Sequence, residues 1–286
     1  MHYSCFVVLG TGRLAFQCGG YLKETHSADV IVYDVNKNPS EYLKNNCKKL
    51  ELEYHFGKKH ELIDFLSAIK EKALIISAYN PHIIPAHILD MPNISAINVH
   101  HSLLPAHPGR NAEAWAIYEM DEYSGITWHI LSEKVDKGAI IAQEKIKLDD
   151  NMTALKLLMI QNEKAFSSFK GFIGSFLNGS CISVQQNVES TTVFHYSKDR
   201  PNGGELNLNW SADKISAFLR AYDYSIYNIM GKPHLIYEGT TYQWKRYKLI
   251  HCDQCKKTVN VQNGNMLIKE GETEIHLNQL SPCPDI

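Results

Sequence analysis

The sequence predicts an α/β protein with a Rossmann-like, mostly parallel sheet and a small, mainly β C-terminal domain. Short apolar runs alternate with helix-like segments over the first half of the chain, which is the pattern of a parallel sheet covered by helices. Beyond residue 233 the pattern changes to short strand-like runs separated by turn residues. We therefore predict two domains, residues 1–204 and residues 205–286.

The bulk properties exclude several classes of protein. A net charge of −2 gives no reason to expect binding to nucleic acid or to an anionic membrane. No apolar run approaches the roughly 18 residues of a membrane span, and no basic segment precedes the first apolar run as in a signal peptide. Seven cysteines without framework spacing predict reduced thiols and a cytoplasmic location. A homodimer is the default expectation for such a protein.

The first elements form a predicted β-α-β unit, with a strand at residues 6–9, a helix at 14–24 and a strand at 28–33. Gly10 and Gly12 follow the first strand. Asp34 follows the second at about the 20-residue offset of the ribose-binding acid in a dinucleotide fingerprint. A tight β-to-α turn explains the glycines equally well, so both interpretations stay open at this point.

The middle of the chain continues the alternation of strands and helices. We predict helices at 39–48 and 62–69, strands at 50–54 and 73–78, and one or two helical turns at 83–89. The run at 73–78 is almost continuously apolar, which is typical of a strand buried on both faces. A further strand at 94–99 ends in the polar sequence Asn-Val-His-His-Ser-Leu-Leu-Pro, residues 98–105.

The later elements begin with a loop of prolines and a glycine, followed by a helix at 112–120 with Asn111 as its N-cap. Strands at 124–131 and 139–142 flank a polar loop. Thr153 and Ser211 are predicted to cap the helices 153–177 and 211–222, which a polar linker at 190–204 separates. The last runs, 234–237, 242–244, 247–250, 259–261 and 266–268, predict a small antiparallel barrel or sandwich.

Asn98 and His100 are candidate catalytic residues. On an extended strand they point to the same side, where an amide N–H and an imidazole suit a carbonyl whose oxygen becomes anionic under attack. The alternative is that both side chains cap backbone groups at the strand end. Asp136, in the loop before Gly138, either orients His100 and relays a proton or is an ordinary loop aspartate. His101 points the other way and is expected to be structural.

Cys252 and Cys255 form a C-x-x-C pair of the kind found in zinc sites. Such a site needs about four ligands. Only His276 and Cys283 could supply the others, so we predict free thiols and no metal site. The stretch 243–248 mixes basic and aromatic residues, as nucleic-acid-binding surfaces do. The C-terminal domain carries equal numbers of basic and acidic residues, however, which favours a strand with one charged face.

Taken together, these residues resemble the folate-dependent formyltransferase family, which includes the glycinamide-ribonucleotide, methionyl-tRNA and nucleotide-aminosugar formyltransferases. The matching motifs are Asn98 and His100 with the tail at 102–105, Gly109-Arg110, the strand at 125–129, and Asp136 within 135–143. The resemblance covers residues 73–150 most strongly and residues 1–72 in architecture only. The C-terminal segment resembles the extension of the tRNA and aminosugar enzymes loosely.

The resemblance implies the formyltransferase fold and N10-formyltetrahydrofolate as formyl donor, with catalytic roles for Asn98, His100 and Asp136. It implies no metal and no dinucleotide, which makes Asp34 an ordinary strand-end carboxylate. The residues expected beside the folate are Tyr79, Pro81, Ile84, Val135 and Gly138. The residues expected beside the acceptor are Gly10, Gly12, Arg13, Ser102 and Arg110.

Three classes of acceptor amine compete, and the amino group of a nucleotide-linked amino-deoxy sugar is favoured. Methionyl-tRNA is disfavoured. Contacts with tRNA phosphates need clustered Lys and Arg, whereas the C-terminal domain has no net positive charge. Another small or carrier-bound amine, such as an amino acid or a peptide natural product, is the second choice. A folate-binding relative without transfer activity is the non-enzyme alternative. The expected partners are thus the folate and a small amine, without nucleic acid or membrane.

Overall fold

The computed structural model describes residues 2–187 and 192–283. By contact density the chain divides into two compact units, each assembled from separate stretches of sequence. The first comprises Met1–Gly109, Gly125–Ile146 and Met159–Phe194, and the second comprises Arg110–Ser124, Lys147–Leu158 and His195–Ile286. The linear domain boundary near residue 204 stays a prediction. Residues 190 and 191 of the predicted linker lie outside the described residues.

The first unit is built on a seven-stranded sheet of order β3-β2-β1-β4-β5-β6-β7. The strands β1 to β5 pair in parallel and β6 runs antiparallel to β5, so the predicted Rossmann-like, mostly parallel sheet is confirmed. The strands are β1 Cys5–Gly10, β2 Asp29–Asp34, β3 Glu53–Phe56, β4 Ala73–Ala78, β5 Ile94–His100, β6 Tyr123–Ile130 and β7 Ile140–Lys147.

Seven α-helices connect and cover the strands of the described chain. They are α1 Gly12–Thr25, α2 Glu41–Lys49, α3 Lys59–Ser67, α4 Ala86–Leu89, α5 Ala112–Tyr118, α6 Ala154–Leu177 and α7 Ala212–Ala221. No helix in the described residues is long and apolar enough to cross a membrane.

Side chains point alternately to the two faces of the central strands, so a separate hydrophobic core forms on each face of the sheet. In β1, Phe6 and Val8 belong to one buried cluster, whereas Val7 and Leu9 belong to the other. The first cluster also contains Phe169 of α6, so this long helix covers one face. Because both faces are covered, β1 and β4 are buried along their whole length, as the apolar runs predict.

Two of the three predicted helix caps are confirmed. The Thr153 hydroxyl accepts a hydrogen bond from the Lys156 N–H at 3.3 Å, and the Ser211 hydroxyl accepts one from the Lys214 N–H at the same distance. Asn111 occupies the N-cap position of α5, but its side chain makes no capping bond. Its backbone is left-handed, with φ of 55°, and not the extended conformation of an ordinary cap.

The C-terminal strands of the second unit form two sheets, so the predicted small, mainly β C-terminal domain is confirmed. Side chains of both sheets share one buried cluster, as in the predicted sandwich, and the strands do not close into a barrel. One sheet has the order β13-β10-β9-β8, and the other is a long hairpin of β11 and β12. The predicted breaks at 251–258 are irregularities within β11, where the register shifts and the strand continues. The strands are β8 Glu205–Leu206, β9 His234–Tyr237, β10 Thr240–Gln243, β11 Arg246–Gln262, β12 Asn265–Asn278 and β13 Ser281–Pro282.

Candidate active site

The candidate cluster lies at the carboxyl end of β5, whose neighbour β4 borders the point where the chain order of the sheet reverses. Strand β1 pairs with β2 on one side and with β4 on the other, and such switch points open a crevice at the carboxyl ends of the strands. Gly10 ends β1 beside Ala78, the last residue of β4. A Cβ at Gly10 would lie 1.9 Å from the Ala78 carbonyl oxygen, so the close approach of the two strands requires glycine here.

Asn98 is held on β5 by two side-chain partners. Its Oδ1 accepts a hydrogen bond from the Ser77 hydroxyl at 2.6 Å, and its Nδ2 lies 3.0 Å from Nε2 of His129. The His129 Nδ1 lies 3.0 Å from the Ile130 carbonyl oxygen, which can only accept. A neutral His129 therefore carries its proton on Nδ1, and its Nε2 accepts from Asn98. The second N–H of the Asn98 amide has no partner among the described residues.

His100 is buried, and each of its ring nitrogens faces an oxygen. Its Nε2 donates to the His107 carbonyl at 2.8 Å, and its Nδ1 lies 3.5 Å from Oδ2 of Asp136. A neutral imidazole can donate to only one of these two oxygens, whereas an imidazolium can donate to both. The surroundings of His100 therefore suit a ring that takes up a proton and gives it back.

Asp136 is buried in the loop between β6 and β7, and its backbone is left-handed, with φ of 55°. Its Oδ2 accepts a hydrogen bond from the Gly109 N–H at 2.8 Å, and its Oδ1 lies 3.6 Å from Nε2 of His129. The three predicted catalytic residues are thus brought together in the first unit. His129 contacts two of them.

The two ionisable groups of this cluster are shifted so that neutral pH leaves a carboxylate beside a neutral ring. Burial raises the pKa of Asp136, but the neighbouring His100 and the hydrogen bond from the Gly109 N–H outweigh burial and lower the pKa overall. Burial lowers the pKa of His100, and Asp136 and the His107 carbonyl offset this only in part. The pair can therefore accept one proton at neutral pH.

The side chain of His101 shares none of the partners of His100, which agrees with the prediction that the two point to different sides. Its ring meets Tyr79 edge-on with ring centroids 5.5 Å apart, and its Nε2 lies 3.4 Å from Oδ1 of Asn162. Burial, followed by the neighbouring His100, lowers the pKa of His101 to about 4. His101 is therefore a neutral packing residue at physiological pH.

The residues expected beside the folate fall into two stretches. Tyr79 directly follows β4, is 43% exposed and has a positive φ of 69°, while Pro81 is exposed and Ile84 is buried. Val135 is half-buried next to Asp136. A Cβ at Gly138 would lie 1.7 Å from the Ile130 carbonyl oxygen, so the loop needs glycine there. A contact of these residues with folate stays a prediction.

The residues expected beside the acceptor are more scattered. Gly12 has φ of 68° at the start of α1, and Arg13 is exposed in its first turn. Ser102 is buried, and its hydroxyl donates to the Ala106 carbonyl within the loop. Arg110 belongs to the second unit and is exposed, and its backbone N–H donates to the His195 carbonyl. Their contact with an acceptor also stays a prediction.

Two residues outside these sets are structural. Asp34 is fully buried, and its oxygens accept hydrogen bonds from backbone and side-chain donors, including the Ser40 N–H at 2.7 Å and the Tyr54 hydroxyl at 2.8 Å. Its carboxylate is thus occupied by the turn after β2. Cys255 lies with its sulfur 3.3 Å from the Gly271 carbonyl oxygen. Within residues 2–187 and 192–283, no three side chains converge in a way that could hold a metal ion.

Sequence reasoning did not predict a supporting role for Ser77, His107, Gly109 or His129, although Gly109 and His129 lie within the motifs that carry the resemblance. Ser77 carried a usable signal, since a lone serine in a buried apolar run must find a hydrogen-bond partner. The His107 carbonyl and the Gly109 N–H act through the backbone, which no side-chain pattern reveals.

Comparison with known proteins identifies the domain that carries this cluster. Residues 26–165 match the profile of a family described as formyl transferase. A GDP-perosamine N-formyltransferase from Brucella melitensis is 32% identical over 148 residues, which is 52% of this chain and 56% of that protein. A methionyl-tRNA formyltransferase from Clostridioides difficile is 34% identical over 174 residues, covering 59% of this chain and 55% of its own length. The chain thus spans little more than half of these relatives.

The fold of the whole chain also has solved counterparts. The structure of an N-formyltransferase from Helicobacter canadensis, in complex with folinic acid and dTDP-3-aminofucose, has a TM-score of 0.77 over 97% of this chain and 99% of its own. Its sequence is only 16% identical, so this likeness is one of fold. The resemblance seen in the motifs is confirmed over residues 26–165, which match the formyl transferase family.

Proposed function

We propose that the protein transfers a formyl group from N10-formyltetrahydrofolate to the amino group of a nucleotide-linked amino-deoxy sugar. The observation that carries this proposal is the cluster of Asn98, His100 and Asp136. Asn98 keeps one amide N–H without a partner among the described residues, and His100 lies beside Asp136, so that the pair can take up a proton. The proposal is further supported by the names of the sugar N-formyltransferases to which the chain is similar.

The oxyanion role falls first to Asn98. When an amine attacks the formyl carbon, negative charge develops on the formyl oxygen, and we expect the second N–H of Asn98 to donate to it. One such donor is worth about 3–4 kcal/mol of transition-state stabilisation. His100 donates to the His107 carbonyl in this structure, so its Nε2–H joins Asn98 only after leaving that carbonyl.

The proton role falls to the pair of His100 and Asp136. A new C–N bond to the amine forms, the bond between the formyl carbon and N10 of the folate breaks, and one amine proton must move to N10. The lowered pKa values leave both groups unprotonated at neutral pH, so a site for this proton is vacant. The formyl donor supplies an activated one-carbon group, so no covalent bond to the enzyme is needed. The stretch at 79–84 and the loop at 135–138 would hold the folate.

Methionyl-tRNA is a second acceptor to be tested, because methionyl-tRNA formyltransferases are among the relatives. The charge balance of residues 205–286 argues against it, since nucleic-acid binding depends on neutralising phosphates. A small or carrier-bound amine of another kind is the remaining alternative. We further propose a cytoplasmic location, in keeping with seven free cysteines, and a homodimer as the assembled state.

The deciding experiment incubates the protein with N10-formyltetrahydrofolate and a panel of GDP- and dTDP-linked amino sugars, with methionyl-tRNA and simple amines alongside. Mass spectrometry should show the gain of one formyl group on a nucleotide sugar, and the Asp136→Asn variant should show none. Formylation of methionyl-tRNA alone would overturn the acceptor assignment. Release of tetrahydrofolate without any acceptor would indicate a hydrolase, and the absence of any turnover would indicate a folate-binding protein.

A further inference from the structure

The loop that carries Asp136 is held by a side chain from a distant part of the sequence. After α6 the chain returns to the sheet, where Val184 and Ile140 exchange two backbone hydrogen bonds of 2.7 and 2.8 Å. This bridge fixes the backbone beside the start of β7. Two residues later, the side chain of Gln186 reaches the turn between β6 and β7.

Gln186 donates two hydrogen bonds to this turn. Its Nε2 lies 2.8 Å from the Asp136 carbonyl oxygen and 2.8 Å from the Gly138 carbonyl oxygen. The side-chain oxygen Oε1 is buried without a partner in the described part of the chain. The opposite orientation of the amide would set that oxygen against two carbonyl oxygens, so the observed orientation is the one the turn requires. Among neutral side chains, only an amide offers two N–H donors from one nitrogen.

The turn has reason to need this support. Asp136 has a left-handed backbone, which is unfavourable for any residue with a Cβ. Its carboxylate reaches the Gly109 N–H at 2.8 Å only while the peptide units on either side keep their orientation. Gly138 in turn is packed against the Ile130 carbonyl. Gln186 binds the carbonyls of Asp136 and Gly138 and so links the two ends of this turn.

We propose that Gln186 is a positioning residue for Asp136. By binding the carbonyls of residues 136 and 138, it keeps the turn in the conformation that aims the carboxylate at His100 and Gly109. The expected effect of Gln186 on catalysis rests on the proposed function. The hydrogen bond from the Gly109 N–H to Asp136 gives a second readout that is independent of activity.

The test compares Gln186→Met, which keeps the side-chain volume and removes the donors, with Gln185→Met as the matched control. Gln185 is exposed and adjacent, so it shares the segment but not the two bonds. In Gln186→Met we expect kcat for formyl transfer to fall roughly 10- to 100-fold, the size of effect that follows misplacement of a catalytic group. Hydrogen exchange at the Gly109 amide should accelerate about tenfold or more, since it loses an acceptor. Gln185→Met should match the wild type in both.

Gln186→Lys provides a second variant with N–H donors, and it should retain more protection at Gly109 than Gln186→Met. If Gln186→Met fails to fold, Gln186→Glu replaces it, because a carboxylate also lacks the two N–H donors and should likewise accelerate exchange at Gly109. Unchanged exchange at Gly109 in Gln186→Met would overturn the proposal, as would equal losses in Gln185→Met. If the wild-type protein transfers no formyl group, the proposed function fails. Selective exposure of Gly109 in the variant would then still support the positioning role.

Discussion

The strand end at 98–100 and the loop at 135–138 contribute to the same cluster but place their residues by different means. On β5, the ladder of backbone hydrogen bonds to β4 and β6 sets where Asn98 and His100 point, and the side-chain partners only refine it. In the loop, Asp136 has a left-handed backbone and depends on contacts from Gly109 and Gln186. The strand residues would therefore keep their orientation if one side-chain contact were lost, because the backbone ladder still holds them. The orientation of Asp136 depends on each of its contacts.

The largest expected effect comes from removing the proton acceptor of the loop. Asp136→Asn keeps the shape of the side chain but cannot ionise, so kcat should fall by about 10³-fold, within the usual range for a general acid–base group. The measurement is steady-state formyl transfer at saturating donor. Asp149→Asn, a change of the same kind at an exposed carboxylate, is the control and should leave kcat unchanged. A full-rate Asp136→Asn enzyme would remove Asp136 from the mechanism.

The next effect comes from the strand. Asn98→Ala removes the N–H donor proposed for the oxyanion, and kcat should fall roughly 10²- to 10³-fold. The variant also leaves the Ser77 hydroxyl and His129 Nε2 without their partner, so the free energy of unfolding should fall by about 1–3 kcal/mol. Kinetics and urea unfolding measure the two losses separately. A double variant with Asp136→Asn should lose less than the product of the single effects, because both residues act on one transition state. Multiplicative losses would show that strand and loop act independently.

A smaller effect tests the redundancy of the strand directly. Ser77→Ala removes the donor to Asn98 Oδ1, but the backbone ladder and His129 still orient the amide. We expect kcat to fall no more than about fivefold, in line with the roughly 1 kcal/mol of one hydrogen bond. Gln186→Met removes the corresponding contact in the loop, and it should lower kcat by a larger factor than Ser77→Ala does. If Ser77→Ala proved the more damaging of the two, the contrast between strand and loop would be wrong.

The same contrast explains how much of the molecule the sequence could predict. The apolar run at 73–78 and the position of Asn98 and His100 after a buried strand were readable, because burial and alternation leave a local pattern. Asp136 is a candidate from its place in the loop before Gly138, but only the resemblance to a family favours a catalytic role over that of an ordinary loop aspartate. The contacts of Gln186, His107 and Gly109 were not readable, since they depend on long-range packing and on backbone groups. The long hairpin was misread because the irregularities within β11 resemble turns in sequence.

The smallest effect concerns His101, which is buried beside Tyr79 and Asn162. Its pKa in the folded protein is about 4, below its ordinary value of 6.5, so the unfolded chain binds more protons between these two pH values. The folded protein should therefore lose stability as pH falls from about 6.5 to about 4, by up to roughly 3 kcal/mol from this residue. His101→Gln cannot titrate, so its urea midpoint should fall less over that range than the wild-type midpoint. At pH 8 and saturating donor, kcat for formyl transfer should change little, because the His101 side chain meets Tyr79 and Asn162 and none of the three proposed catalytic residues. Parallel midpoints across the range would show that His101 does not titrate differently in the folded and unfolded chain, and a large loss of kcat at pH 8 would place it in the site after all.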